Sequence, residues 1–341
     1  MRPCRRRLVS HYRGILCKGR STQVNGDIYN VNTDSSSRSI KLQDIEQRDR
    51  DQHLLKAATD GDSVILRRFV QANVNLDYVD TEGYTALHRA IANQHVECVS
   101  ILLNSGANIN AGRVSRGERF SVLSYAAAKG NGRMVALLTT KGANPNDRDA
   151  HGWSPLMRAA DLGHTQVVKI LLESGANVEY SNQNGWTALM LASAKGHELV
   201  VELIVSNKNI EGTNIVQQTP LLLAAKNGHV VTVKILLKHD ANIEASDKNT
   251  FTALMLAAEN GHVAIIRELI QHGVNIEAKN AHGFTALLLA MDHDNYSVAE
   301  LLLKHGADPA FKDTNGSGLL RAAIDDFSYG MRGLLAHYQA S

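Results

Sequence analysis

From about residue 50 onward, apolar and polar positions recur in blocks of constant layout. The block at residue 187 opens with the apolar run Ala188-Leu189-Met190-Leu191-Ala192 and closes on the turn pair Gly196-His197. The block before it carries a second apolar set, Val167, Val168, Leu171 and Leu172, spaced as one face of a helix. Each block therefore predicts two short helices joined by a tight turn. Thr187 stands where an N-cap is wanted, and Pro155 and Pro220 occupy the first helical position in their own blocks. Gly175 ends the second helix, where positive φ is cheap for glycine. The connecting loop turns at Asn184-Gly185.

Aligned on the Thr187 position, the blocks begin at Gln52, Thr85, Ser121, Ser154, Thr187, Thr219, Thr252, Thr285 and Gly318, at intervals of 33, 36, 33, 33, 32, 33, 33 and 33 residues. Five residues after every one stands an alanine, from Ala57 through Ala192 to Ala323. A fixed offset kept nine times is not a product of composition. The chain from 49 to 341 is an array of about nine units with degenerate terminal units, and residues 1–48 form a separate tail.

A two-helix unit of about 33 residues with this opening resembles the ankyrin repeat. Thr85-Ala86-Leu87-His88-Arg89-Ala90 carries the family signature with alanine in place of proline, and Gly106-Ala107-Asn108, Gly142-Ala143-Asn144 and Gly306-Ala307-Asp308 carry its helix-ending motif. The resemblance covers roughly residues 50–341. It implies an all-α solenoid of stacked helix-turn-helix units, with first helices lining a concave face and β-hairpin-like finger loops projecting beside it. It also implies a protein or peptide partner.

Departures from the pattern carry their own expectations. The signature histidine is kept at His88; Ser124, Met157, Met190, Leu222, Met255, Leu288 and Arg321 replace it elsewhere, which exchanges polar for apolar packing. Arg119, Gln217 and Thr250 stand where the finger turn has glycine, so those three fingers are expected to deviate in shape. The long interval inserts three residues within 111–120, in a loop that carries Arg113, Arg116 and Arg119, either a tolerated insertion or a site for an acidic partner. The short interval puts Ser206-Asn207-Lys208-Asn209 where other units have a C-capping glycine.

Charge divides the chain. Residues 1–26 hold seven basic residues and no acid, which leaves 29 basic against 34 acidic residues in the remainder, a net −5. An array with that balance is not expected to bind nucleic acid electrostatically. The basic, amphipathic start reads as a solvated tail, a mitochondrial targeting segment or a nuclear import signal. Three scattered cysteines make no disulfide or zinc framework, no apolar run reaches the roughly 18 residues of a membrane span, and no secretory apolar region opens the chain. An intracellular location, cytoplasmic or nuclear, is expected.

No catalytic chemistry emerges. His164, His197, His229 and His262 recur one unit apart, and packed helices about 8–10 Å apart hold such rings too far from one another to share a zinc ion. Phosphate-binding, dinucleotide, nucleophile-elbow and kinase signatures are missing, so neither enzyme activity nor a cofactor or metal is expected. What remains is a surface. Aromatic residues make up 5% of the chain, yet Tyr84, Phe120, Trp153, Trp186, Phe251 and Phe284 all fall immediately before a unit's capping position. They read either as exposed partner anchors or as packing between fingers. A second candidate set lies at the ends of the first helices: Asp161, Leu162, Lys195, Lys226, Asn227, Glu259 and Asn260, which vary while frame positions do not.

Overall fold

A computed structural model describes residues 47–110, 113–115, 118–206, 208–309 and 329–339. Residues 1–46 of the tail, most of the final unit, and the side chains of 111–120 lie outside the described residues, so Phe120 and the three arginines of the inserted loop have no side-chain account. The described chain is a stack of helix pairs. First helices are α1 (Gln47–Asp60), α3 (Ala86–Ala92), α5 (Val122–Ala128), α7 (Pro155–Asp161), α9 (Ala188–Lys195), α11 (Pro220–Lys226), α13 (Ala253–Glu259) and α15 (Ala286–Asp292). Second helices are α2 (Ser63–Gln71), α4 (Val96–Asn104), α6 (Gly132–Thr140), α8 (Thr165–Glu173), α10 (Glu198–Ile204), α12 (Val230–Lys238), α14 (Val263–Gln271) and α16 (Tyr296–Lys304), and α17 (Tyr329–Gln339) packs on α16. Each first helix packs against the next first helix and each second helix against the next second helix. A layered solenoid results, each unit burying its apolar face on its neighbours.

The capping positions do what their sequence predicts. Thr85, Ser121, Ser154, Thr187, Thr219, Thr252 and Thr285 take extended backbone angles, and their hydroxyls accept the amide three residues on. Each such cap contributes about 1 kcal/mol. The Thr85 amide donates to the His88 ring Nδ1 at 3.5 Å, which closes a capping box within the unit, and the same Nδ1 lies 2.8 Å from the Thr85 hydroxyl. Ala90, Ala126, Ala159, Ala192, Ala224, Ala257 and Ala290 are wholly buried, and a larger side chain there would push stacked helices apart. The first unit departs as its sequence suggests: Gln52 lies inside α1 rather than capping it.

The turn histidines bridge units. The Nε2 atoms of His164, His197, His229 and His262 lie 3.0–3.1 Å from the carbonyls of Ala128, Asp161, Ala194 and Lys226, near the end of the preceding unit's first helix. None of the four caps its own helix, so each ring is available to the neighbour. His95 makes the same bridge to Thr59, and Asn295 substitutes for it by donating to Ala258 and Glu259. The ring lies against the neighbour's turn glycine: a Cβ on Gly163, whose φ is +70°, would sit 2.6 Å from the His197 ring. The repeated Gly-His pair is thus a single interlocking device.

A second ladder runs along the loops. Asp77, Asn146, Glu211, Glu244 and Glu277 accept the backbone amides of Asn108, Asn177, Asn242, Asn275 and Asp308 one unit on, at 2.7–2.9 Å. The short unit has its own remedy for the missing glycine. Helix α10 stops at Ile204, and buried Asn209 donates to the Ile204 carbonyl at 2.7 Å while accepting the Ser206 amide at 2.9 Å. An orphaned helix-end carbonyl is thereby satisfied.

Candidate functional site

The aromatic register is set by a turn that one side chain organises. In six fingers an Asp or Asn four residues before the aromatic register accepts two backbone amides with Oδ1. Asn182 Oδ1 receives the Asn184 and Trp186 amides, both at 3.0 Å, while the Asn182 amide donates to the Trp186 carbonyl at 2.9 Å. Asp80, Asp149, Asn214, Asp247 and Asn280 repeat this around Tyr84, Trp153, Gln218, Phe251 and Phe284. Neighbouring fingertips are joined by single backbone bonds: the amides of Gln183, Ile215, Lys248 and Ala281 donate to the carbonyls of His151, Asn184, Val216 and Asn249 at 3.0–3.2 Å.

The expectation that glycine-free fingers deviate is corrected for two of the three. Gln217 and Thr250 adopt the glycine conformation, with φ of +60° and +59°, and keep the turn bonds to Asn214 and Asp247 at 2.8 Å. The Asx side chain and the cross-finger bond together outweigh a backbone strain of about 1–2 kcal/mol. The third, with Arg119, is a distinct two-stranded hairpin, β1 (Arg113–Ser115) antiparallel to β2 (Glu118–Phe120).

Surroundings of the aromatic rings change along the array. Tyr84 and Trp153 are half-buried beneath arginines, with Arg89 4.3 Å and Arg158 4.5 Å from the ring centres. Each arginine also grips the turn carboxylate: Arg89 Nε donates to Asp80 at 3.0 Å, and Arg158 Nη2 to Asp149 at 2.6 Å. Burial pushes the Asp80 carboxyl up, but the Tyr84 and Glu82 amides and the Arg89 guanidinium more than offset it and hold its pKa below the ordinary value. In the fifth to eighth units leucine replaces the arginine. Leu191, Leu223, Leu256 and Leu289 are buried, beside half-buried Trp186 and Phe251 and the 38% exposed Phe284.

The two tryptophans and three first-helix ends meet in one groove of about 440 Å³. Trp153 and Trp186 line it together with Asp161, Lys195, Lys226 and Asn227. Asp161 is half-buried, and Lys195, Lys226 and Asn227 are exposed. Leu162 (49% exposed), Glu259, Asn260, Tyr84, Phe251 and Phe284 lie outside the groove lining. Asn227 and Asn260 also close their helices, donating to the Leu223 and Leu256 carbonyls at 2.7 and 2.8 Å. Six further residues line the groove: Ala194 beside Lys195 at a first-helix end, Gln218 in the aromatic register, Leu191 and Leu223, which sequence offers as core or as an apolar groove, and Asn182 and Asn184 of the finger turn. The register after the signature position, running from Arg89 to Leu289, was the available signal for the leucines. The Asx four residues before every aromatic of the register except Phe120 was the signal for Asn182.

Among the described residues no three of His, Cys, Asp and Glu cluster as metal ligands would, and no helix is long and apolar enough to cross a membrane. Cys98 is buried, and that burial, ahead of the nearby Glu97 and Asp62 charges, raises its thiol pKa.

Comparison with known proteins places these units. The family described as "Ankyrin repeats (3 copies)" matches residues 29–113, 123–217, 176–247, 200–280 and 221–313. Similar proteins include the human "Ankyrin repeat and SOCS box protein 3", 30% identical over 100 residues, which are 29% of this chain and 19% of that protein. Chicken (Gallus gallus) "Inversin" is 36% identical over 101 residues, 29% of this chain and 9% of its own length. The Schizosaccharomyces pombe "Glycerophosphocholine phosphodiesterase gde1" is 32% identical over 93 residues, 27% of this chain and 8% of its own length. The matched part of the chain thus spans less than a fifth of each of these relatives.

Proposed function

The chain belongs to the ankyrin-repeat family, whose repeats are protein-interaction modules, and from that premise we propose that it is a non-catalytic scaffold holding a protein or peptide against its first-helix ends and fingers. The observation that carries this reading is the groove where both tryptophans of the chain meet the variable residues Asp161, Lys195, Lys226 and Asn227. Rigid aromatic walls beside charged, exposed side chains are the composition of a recognition hot spot. The surrounding frame of hydroxyl caps, histidine bridges and Asx turns uses the Asn182, Gln218 and Asn227 side chains and leaves those of Asp161, Lys195 and Lys226 to a partner.

Affinity capture with the full chain tests the reading. Proteins retained by the wild type are expected to be lost by the W186A variant, with its helical content unchanged. If W186A retains them all, the groove is not the docking surface. A second reading rests on the seven basic residues before Asp27: the tail directs placement, nuclear or mitochondrial, while the array docks a partner. Imaging the full chain against a 1–48 deletion decides it, since unchanged location removes the tail from the account.

A further inference from the structure

The groove and the first-helix end next beyond it carry a charge pattern more specific than partner binding alone. Along the ends of successive first helices stand Asp161, Lys195, Lys226 and Glu259, in the order acid, base, base, acid. Among the described residues the ammonium groups of Lys195 and Lys226 make no hydrogen bond or ion pair, and neither does the Asp161 carboxylate. Three other lysines are held by partners, Lys234 by Glu268 at 3.2 Å, Lys304 by Glu300 at 2.6 Å and Lys141 by Asn104 at 2.7 Å, whereas Lys195 and Lys226 belong with the exposed lysines that are not. The two unpaired lysines line the same groove as Trp186, whose floor includes Leu191 and Leu223.

We propose that this groove selects an extended peptide segment bearing two carboxylates about three residues apart, an apolar side chain against Trp186, and basic residues outside the acidic pair. The proposal rests on the partner-binding reading above and adds the chemistry of the occupant. Helices of adjacent units pack about 8–10 Å apart, and an extended chain advances about 3.3 Å per residue, so neighbouring lysines are met by every third residue. Asp161 and Glu259 set the outer limits. A uniform polyanion laid across the four units gains at the lysines and is repelled at both ends, whereas a segment of basic, acidic, acidic, basic order is complemented throughout. That pattern favours a peptide over a nucleic acid. Arg158 already covers the Trp153 ring, while the corresponding place beside Trp186 holds a leucine, so the apolar side chain belongs at Trp186.

Selection from a displayed library of random peptides of about twelve residues, enough to cross four units of an extended chain, tests this on the full-length protein. The wild type is expected to enrich sequences with two acids about three apart. The best of these, synthesised with a fluorescent label, is expected to bind K195E/K226E at least about tenfold more weakly, with the difference shrinking as salt rises. Both lysines are exposed, so the variant is expected to keep its helices, which circular dichroism checks. Acid-poor selected sequences, or affinity unchanged by K195E/K226E while W186A abolishes it, overturn the charge assignment and leave the docking face intact. Binding indifferent to both variants removes the docking face as well. Failure to select any peptide overturns the extended-peptide proposal, as does displacement of the labelled peptide by an oligonucleotide of equal affinity.

Discussion

Thr250 shows how a residue can be held where its chemistry resists. A β-branched residue at φ +59° is strained, yet the turn is closed by the Asp247 side chain receiving the Asn249 and Phe251 amides at 2.9 and 3.0 Å. T250G is therefore expected to raise stability by on the order of 1 kcal/mol, a relief partly offset by the greater freedom of glycine in the unfolded chain, and chemical denaturation measures it. Neighbouring Gln217 follows the same logic through Asn214. The sequence made both positions look like deformed fingers because glycine propensity is local. The force that overrides it comes from an Asx side chain and from the adjacent unit, and neither is visible in a turn read alone. The same limit applied to the groove: Trp153, Trp186, Lys195 and Lys226 stood out as departures from the repeat, while Leu191 and Leu223 were hidden by serving as frame and floor at once.

Between helices, the Gly-His pair is the joint that repetition made legible and geometry explains. The period showed that something at the turn was kept, but not which atom the imidazole met. That atom is a carbonyl near the end of the preceding first helix, 36 residues earlier for His197 and Asp161. H197A is expected to cost about 1–2 kcal/mol by orphaning that carbonyl. G163A is expected to cost as much or more, since its Cβ would meet the ring at 2.6 Å in a backbone conformation at φ +70°. Removing the ring removes half of the second penalty, so the double variant is expected to lose less than the sum of the two. Denaturation of the four proteins in this cycle reads the coupling directly, and strict additivity would show that ring and glycine do not interlock.

As a whole, the molecule is a one-dimensional stack whose stability is a sum of units and interfaces. Its irregular joint is the short α10, capped by buried Asn209 instead of a glycine. N209A is expected to cost about 1–3 kcal/mol and to accelerate amide exchange first around residues 204–214, so that the two flanking segments begin to open separately. Uniform acceleration along the chain would argue that this joint is no weaker than the rest. The groove lies across it, formed by the fingers and first helices of the fourth, fifth and sixth units, so the proposed function depends on the joint staying closed. The chain's only tryptophans, Trp153 and Trp186, both line that groove, which makes intrinsic fluorescence a direct reporter of its occupancy. Titration of the full chain with a bound partner or selected peptide that lacks tryptophan is predicted to give a saturable change in emission, with a midpoint matching independently measured affinity. Saturating binding with no change in emission would place the partner elsewhere and contradict the account.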